Sequence, residues 1–244
     1  MLVTADQTVA TIGGGHLEWL AIEHARSMLR GKLAESEQRY PLGASSGQCC
    51  GGEMTLRYAW LNASHVAQLV AQQAHWKTLL LFGAGHVARA LVGYLAALPL
   101  QVVWVDSRDS INSTHNSTRS THGESDVFPA HLPANVSTVL SDTPEAELAL
   151  APAGSLVLVM THSHALDEQL IDAALARGGW GYLGLIGSAT KRRRFEQRWV
   201  ARGLTANAYD QLTCPIGDTS NESAYRQNPE VLALGVAAQI ATYL

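Results

Sequence analysis

Unbroken apolar runs recur along the second part of the chain. Four runs, TLLLF, QVVWV, SLVLVM and YLGLIG, are separated by helix-like segments after residue 77. Strands buried on both faces lack polar–apolar alternation, and helices between them indicate parallel crossovers. Between the second and third runs, the polar stretch SINSTHNSTRSTHGES has little to bury, so residues 110–125 are expected to form a mobile loop. Residues 77–244 are therefore predicted to form a doubly wound α/β domain on a parallel sheet.

The first part of the chain follows a different pattern. It opens with a short hairpin pattern and a glycine run at residues 13–15, followed by a helix with one apolar stripe. The stripe consists of Leu17, Leu20, Ala21, Ala25, Met28 and Leu29. EMTLRYAWL then alternates, which predicts a half-buried strand with Met54, Leu56, Tyr58 and Trp60 on one side. With a helix over residues 64–76, residues 1–76 are predicted to form a small α+β domain.

Composition and charge narrow the class of protein. The 244 residues are 47% hydrophobic, which is enough for a core, and the net charge is −4. That charge favours neither nucleic acid nor an anionic membrane as a partner. Residues 78–105 are apolar, but His86, Arg89 and Pro99 interrupt them, so we reject a membrane span. Three cysteines and a start without signal-peptide features predict a cytoplasmic protein without a disulfide framework.

A glycine turn follows the first buried run. In FGAGHVARAL, Gly83 permits a tight turn, Gly85 permits backbone N–H groups to approach a phosphate, and Ala88 permits close packing of helix and sheet. Asp106 ends the next run, where Rossmann domains carry an acid that holds a ribose hydroxyl. The fold is thus predicted to be Rossmann-like. The turn would bind a dinucleotide or another phosphate, or serve packing alone.

Two histidines follow the third buried run. His162 and His164 in THSHALDEQL are expected at the carboxyl end of the sheet, where such folds bind ligands. They would bind a metal, donate to an oxyanion, or merely cap the following helix. The metal reading is weak because no third ligand stands at a recognised spacing.

A basic helix start follows the fourth run. Ser188 is predicted to be a helix N-cap, and residues 191–194 are all cationic. Cations oppose the helix dipole there, so an anion is expected nearby. Lys191 and Arg192 are the candidates for contact with a ligand or another subunit. Arg193 and Arg194 are expected to form a solvated charged face.

Adjacent thiols lie in the glycine-rich segment GQCCGG. Cys49 and Cys50 are poorly placed for a mutual disulfide, and the flanking glycines would let a bulky ligand approach. Thiolates suit soft metals or sulfur transfer. Cys214, in LTCPIG, is expected to be structural.

These segments, taken in order, resemble the xanthine dehydrogenase accessory proteins of the XdhC/CoxI family. The resemblance rests on TIGGGHLE, GQCCGG, FGAGHVARAL, VDSRD, THSHALD, YLGLIGS with TKRRRF, and CPIG followed by PEVLALGVAAQI. Each segment alone is a weak signal, but the ordered set spans nearly the whole chain.

The resemblance implies a chaperone that binds molybdenum cofactor, a pterin with a dithiolene-held molybdenum and a phosphate. Such a protein protects the cofactor while a cysteine desulfurase supports its sulfuration, and then inserts it into apo xanthine dehydrogenase. It implies a homodimer and no turnover. The expected cofactor-binding residues are Gln48, Cys49, Cys50, Gly83, Gly85, His86, Asp106, His162, His164, Ser188, Lys191 and Arg192, with Cys49 and Cys50 nearest the molybdenum.

Two segments depart from the family pattern, and two other functions stay open. The family has about one more strand before the point where Met1 stands, and residues 218–228 replace a short glycine-containing turn. The first alternative is an NAD(P)-dependent oxidoreductase that uses the same turn, with Asp106 on the ribose and His162 or His164 as proton donor. The second is an interaction module whose Rossmann domain is empty.

Overall fold

The structure, a computed structural model, describes residues 1–42, 52–107, 127–203, 209–217 and 228–244. The predicted loop at 110–125, the thiol segment at 48–50 and most of the divergent segment at 218–228 lie outside these residues. The chain forms two compact units, Met1–Val70 and Ala71–Leu244. The predicted domain boundary after residue 76 stays a prediction.

The first unit contains two antiparallel strand pairs and helix α1. The pairs are β1 (Leu2–Val3) with β2 (Thr8–Val9), and β3 (Ser36–Pro41) with β4 (Glu53–Tyr58). Helix α1 (Gly15–Gly31) lies between the pairs in the sequence and buries Leu17, Ala21 and Met28, all on the predicted stripe. Helix α2 (Ala63–Gln73) follows β4 and continues into the second unit.

The strand predicted from EMTLRYAWL is confirmed over β4, but it ends at Tyr58. Trp60, which the alternation placed on the same face, lies beyond the strand. The sequence did not predict the partner strand β3, whose residues SEQRYP alternate little and bury no apolar face.

The second unit is a six-stranded parallel sheet in the order β10-β9-β8-β5-β6-β7. Its strands are β5 (Lys77–Phe82), β6 (Leu100–Asp106), β7 (Val136–Leu140), β8 (Leu156–Val159), β9 (Tyr182–Leu185) and β10 (Leu212–Thr213). Counted along this unit, the order is 3-2-1-4-5-6 reversed, which is the Rossmann order. The prediction of a Rossmann-like doubly wound sheet after a small N-terminal unit is confirmed.

Helices cover both faces of this sheet. They are α3 (His86–Leu95), α4 (Glu145–Leu150), α5 (His164–Arg177), α6 (Ala189–Ala201) and α7 (Pro229–Ala241). Leu79 and Leu81 of β5 pack into a core with α3 and α7, whereas Leu80 and Phe82 pack into a second core with α4, α5 and α6. Two-sided burial explains the unbroken apolar runs, because every position of a central strand faces a core.

Residues 78–105, considered above as a membrane span, divide into most of β5, α3 and most of β6. Among the described residues, no helix has both the length and the apolar character needed to cross a membrane.

The turn after β5 lies against the end of β8. Gly83 has φ of 103°, in the left-handed region, and a Cβ there would lie 2.3 Å from the Met160 carbonyl oxygen. The left-handed backbone and the close carbonyl oxygen each disfavour a side chain at this position. The sequence predicted a tight turn at Gly83 but not this contact with Met160, which depends on β8 pairing beside β5.

A Gly83→Ala substitution should lower the free energy of unfolding by about 2–4 kcal/mol, because it adds backbone strain and a steric clash. Gly85→Ala is the matched control: Gly85 has φ of −75°, and nothing lies within 4 Å of a Cβ built there. The control should change stability by about 0.5 kcal/mol or less. Chemical denaturation followed by tryptophan fluorescence measures both, and Trp104, whose Nε1 donates to the Gly83 oxygen, reports on the turn. Equal effects of the two substitutions would contradict this account.

Candidate functional site

Helices α3, α4, α5 and α6 each follow a parallel strand and begin at the carboxyl edge of the sheet. The Ser163 hydroxyl caps α5 by accepting from Leu166 N at 3.3 Å, and the Ser188 hydroxyl caps α6 by accepting from Lys191 N at 3.2 Å. The predicted N-cap at Ser188 is confirmed. The alternative that His162 or His164 caps α5 is wrong, because Ser163 has the position and the hydroxyl acceptor.

Helix α3 begins differently. Its N-cap is Gly85, and within the described chain no side chain caps it. Gly85 and His86 are exposed, and the space beside Gly85 is open. The first N–H groups of α3 are thus placed to bind an anion, and the positive end of the helix dipole favours one.

Asp106, at the end of β6, is buried beneath this turn. Its side chain accepts a hydrogen bond from Ala84 N through Oδ2 at 2.6 Å, and the residue is only 4% exposed. The carboxylate therefore holds the backbone of the glycine turn. Its predicted contact with a ribose hydroxyl stays a prediction, and Oδ2 is already bonded to the protein.

A second buried carboxylate, Asp167, joins the turns after β8 and β9. Asp167 Oδ1 accepts from Thr161 N at 3.0 Å and lies 2.8 Å from Thr161 Oγ1. Asp167 Oδ2 pairs with Lys191 Nζ at 2.5 Å, and Lys191 Nζ also donates to the Ile186 carbonyl at 2.9 Å. The cation predicted to contact a ligand is therefore bonded within the fold, and ligand contact by Lys191 stays a prediction.

Arg192 makes similar internal contacts. Its Nε pairs with Glu196 at 2.7 Å, and its Nη1 donates to the Leu212 carbonyl of β10. Arg193 and Arg194 are exposed, as expected for a solvated face. Ligand contact by Arg192 likewise stays a prediction.

Three predicted site histidines are exposed: His86, His162 and His164. Among the residues that the structure describes, no group of three or more His, Cys, Asp and Glu side chains is arranged to hold a metal ion. A ligand contacted by these histidines would lie at the exposed surface of this edge of the sheet.

A small cavity lies beside the turn after β5. Gly83, Asp106, Thr161 and His162 line a cavity of about 10 Å³, the space of one water molecule. An anionic group fits the open start of α3. The ring of a pterin or a nicotinamide does not fit inside this small cavity and would lie on the open edge around it.

The motif TIGGGHLE has a structural role in the first unit. Glu18 Oε2 accepts from Ile12 N at 2.8 Å, from Gly14 N at 3.1 Å and from the Thr11 hydroxyl. These hydrogen bonds, that from Thr11 above all, lower the pKa of the Glu18 carboxyl. Glu18 thus occupies the anion-binding concavity of the loop before α1.

A larger cavity of about 460 Å³ also lies in the first unit. It is lined mainly by apolar residues of the β1 strand, α1 and the segment around β4, among them Leu2, Met28 and Leu56. Its volume falls within the range of small-molecule sites. None of the predicted site residues lines it.

Sequence reasoning missed Asp167 and Glu18. The sequence does contain a signal for the buried ion pair of Asp167. An acid stands four residues after the N-cap Ser163, and a cation, Lys191, stands in the first turn of the next helix. Only the pairing of β8 with β9 shows that the two helices start side by side.

Gln48, Cys49 and Cys50 lie outside the described residues, so their predicted roles stay predictions. Cys214 is 7% exposed and packs in the core beside α6, in agreement with the structural role expected. Burial raises the pKa of its thiol to about 11.

Strand order and a glycine turn at the first strand define this unit as a Rossmann-like domain, in which the start of α3 is open. The family described as the XdhC Rossmann domain matches residues 79–240, and the family described as XdhC and CoxI matches residues 1–41. The chain belongs to the XdhC/CoxI family, which confirms the resemblance read from its motifs.

The chain is also similar to two individual proteins. The chain is 29% identical over 256 positions to the uncharacterized protein YqeB of Escherichia coli K12, covering 98% of the chain but only 39% of that relative. The chain also resembles the crystal structure of a Bacillus halodurans protein described as a xanthine dehydrogenase, with a TM-score of 0.62 and 17% identity, covering 99% of the chain and 84% of that structure. This second similarity supports the fold.

The raised pKa predicts that Cys214 is a poor nucleophile. Relative to an ordinary thiol pKa of 9.0, a pKa of about 11 lowers the thiolate fraction at pH 8 about a hundredfold. In a Cys49→Ser/Cys50→Ser variant, the folded protein should react with a disulfide reagent at least about a hundredfold more slowly than the same protein in denaturant. Rapid reaction of the folded variant would contradict the buried thiol.

Proposed function

We propose that this protein is an accessory protein for xanthine dehydrogenase that binds molybdenum cofactor as cargo and delivers it. The observation that carries the proposal is membership of the XdhC/CoxI family through both the N-terminal segment and the Rossmann domain. The partners follow from the proposal: apo xanthine dehydrogenase, a cysteine desulfurase, and a second copy of the chain in a homodimer.

The open start of α3 supports binding of the cargo through its phosphate. The N–H groups at Gly85 and His86 meet no capping side chain in the described residues, and a phosphate oxygen is a suitable acceptor for them. The exposed His86, His162 and His164 would supply further donors around the same edge.

The thiols of Cys49 and Cys50 would bind the cargo near its molybdenum. This part rests on residue type and glycine context alone, because soft sulfur ligands suit such a metal. The protein would carry and protect the cofactor without turning it over.

An NAD(P)-dependent oxidoreductase is the second candidate, favoured by the Rossmann strand order and the turn at Gly83. One observation opposes it. Asp106 Oδ2, the oxygen of the residue expected to hold a ribose hydroxyl, is already bonded to Ala84 N.

Cys49→Ala and Cys50→Ala should lower cofactor retention, because each removes a sulfur ligand. We expect a loss of about tenfold for whichever thiol binds the metal, equivalent to about 1.4 kcal/mol. Molybdenum analysis and pterin fluorescence of protein from molybdate-fed cells measure retention, and activation of apo xanthine dehydrogenase measures delivery. Cys214→Ala, which removes a buried thiol, is the control. Wild-type behaviour of both loop variants would remove the thiol role.

Anaerobic titration with NADH and NADPH separates the two candidates. For a carrier, we expect neither tight binding nor hydride transfer to small carbonyl compounds, because the protein would hold its cargo without turnover. Tight binding together with hydride transfer would instead establish the oxidoreductase.

A further inference from the structure

The ion pair between Asp167 and Lys191 is an enclosed charged contact at the carboxyl edge of the sheet. The Asp167 side chain is 2% exposed and the Lys191 side chain 10%, with 2.5 Å between Oδ2 and Nζ. Gly187 makes room for the lysine, since a Cβ at Gly187 would lie 2.7 Å from Lys191 Cδ.

Asp167 shapes the loop that carries the two exposed histidines. Its Oδ1 accepts from the Thr161 amide and lies within hydrogen-bonding distance of the Thr161 hydroxyl. The Thr161 hydroxyl also accepts from Ser163 N at 3.2 Å and lies 3.0 Å from the backbone carbonyl oxygen of Ser163. The Thr161 hydroxyl can donate its one proton to either of these two acceptors. Together, these contacts hold the loop in a compact hydrogen-bonded turn around His162.

Lys191 connects this loop to the neighbouring strand. Its ammonium donates to the carbonyl of Ile186, directly after β9, while it pairs with Asp167 at the start of α5. The position of the histidine loop is thereby coupled to the end of β9. Neither histidine makes this connection itself, and both side chains remain exposed.

Stability alone is a weak reason for such a pair. Two charges lose most of their hydration on burial, and their attraction often no more than offsets that loss. A buried pair does, however, favour one geometry strongly, because any other arrangement leaves a charge without a partner. The effect expected of this pair is therefore a defined loop position.

We propose that Asp167 and Lys191 are positioning residues that hold the loop of Thr161 to His164, and with it His162 and His164, in the geometry that contacts the anionic cargo. The contact with cargo rests on the proposed function. The positioning of the loop does not, and it is measured on the protein without any ligand.

The test uses the full chain with Asp167→Asn and Lys191→Met combined, which removes both charges and leaves neither one unpaired. Amide hydrogen exchange should accelerate by about tenfold or more in the loop, with exchange in β5, β8 and β9 unchanged. The ring resonances of His162 and His164 in histidine-labelled protein should shift, while those of His24 in the first unit should not. Molybdenum retention should fall by about tenfold.

Arg202→Gln is the matched control. Arg202 joins the same two helices by pairing with Glu168 and Asp172, but it is 54% exposed and lies at the other end of α6. It should leave loop exchange and retention unchanged. Should the double variant fold poorly, Thr161→Val removes the hydroxyl contacts without touching a charge and should raise loop exchange in the same way.

Unchanged loop exchange and histidine resonances in a folded double variant, or in Thr161→Val, would overturn the positioning role. Altered exchange with unchanged retention would overturn the link between the histidine loop and the cargo, while the proposed function stands. If wild-type protein holds no molybdenum, the proposed function fails, and loop exchange still decides the positioning role.

Discussion

The close approach of the β5 turn to the end of β8 is the constraint on which the Rossmann unit depends. Gly83 lies so near the Met160 carbonyl that a methyl group would not fit, and the Met160 amide donates to the Phe82 oxygen at 2.9 Å. After β5 the chain passes to one face of the sheet, where α3 packs. After β8 it passes to the other face, where α5 packs. The turn region between them is where doubly wound folds bind their ligands.

Charged side chains at this edge mainly hold the edge itself together. Asp106 bonds the glycine turn, Asp167 bonds the loop after β8, and Lys191 connects that loop to the end of β9. In the described part of this edge, the exposed groups include the backbone N–H groups at the start of α3, the three histidine rings, and the side chains of Arg193 and Arg194. The N–H groups at the start of a helix favour an anion, and here they rest on a base held together by these internal hydrogen bonds.

Predictions from the residue pattern succeeded where local sequence and burial coincide. The alternate residues of β5 face two cores, so the four long apolar runs identified four central strands. The same criterion missed β7 and β10, which lie at the two edges of the sheet, and β3 in the small unit. An edge strand needs fewer apolar residues because one side has no neighbouring strand, and β10 has only two residues with which to show a pattern.

The amino-acid sequence alone determined the class of fold, the turn at Gly83, the cap at Ser188 and the family, because each depends on short-range geometry or on an ordered set of motifs. Only the tertiary structure decided which charged residues face inward. Asp167 and Lys191 are 24 residues apart, and they meet because β8 and β9 pair in parallel and start their helices side by side. A motif records which side chains are available at the edge of a sheet, whereas the packing of neighbouring turns decides which of them remain exposed to a ligand.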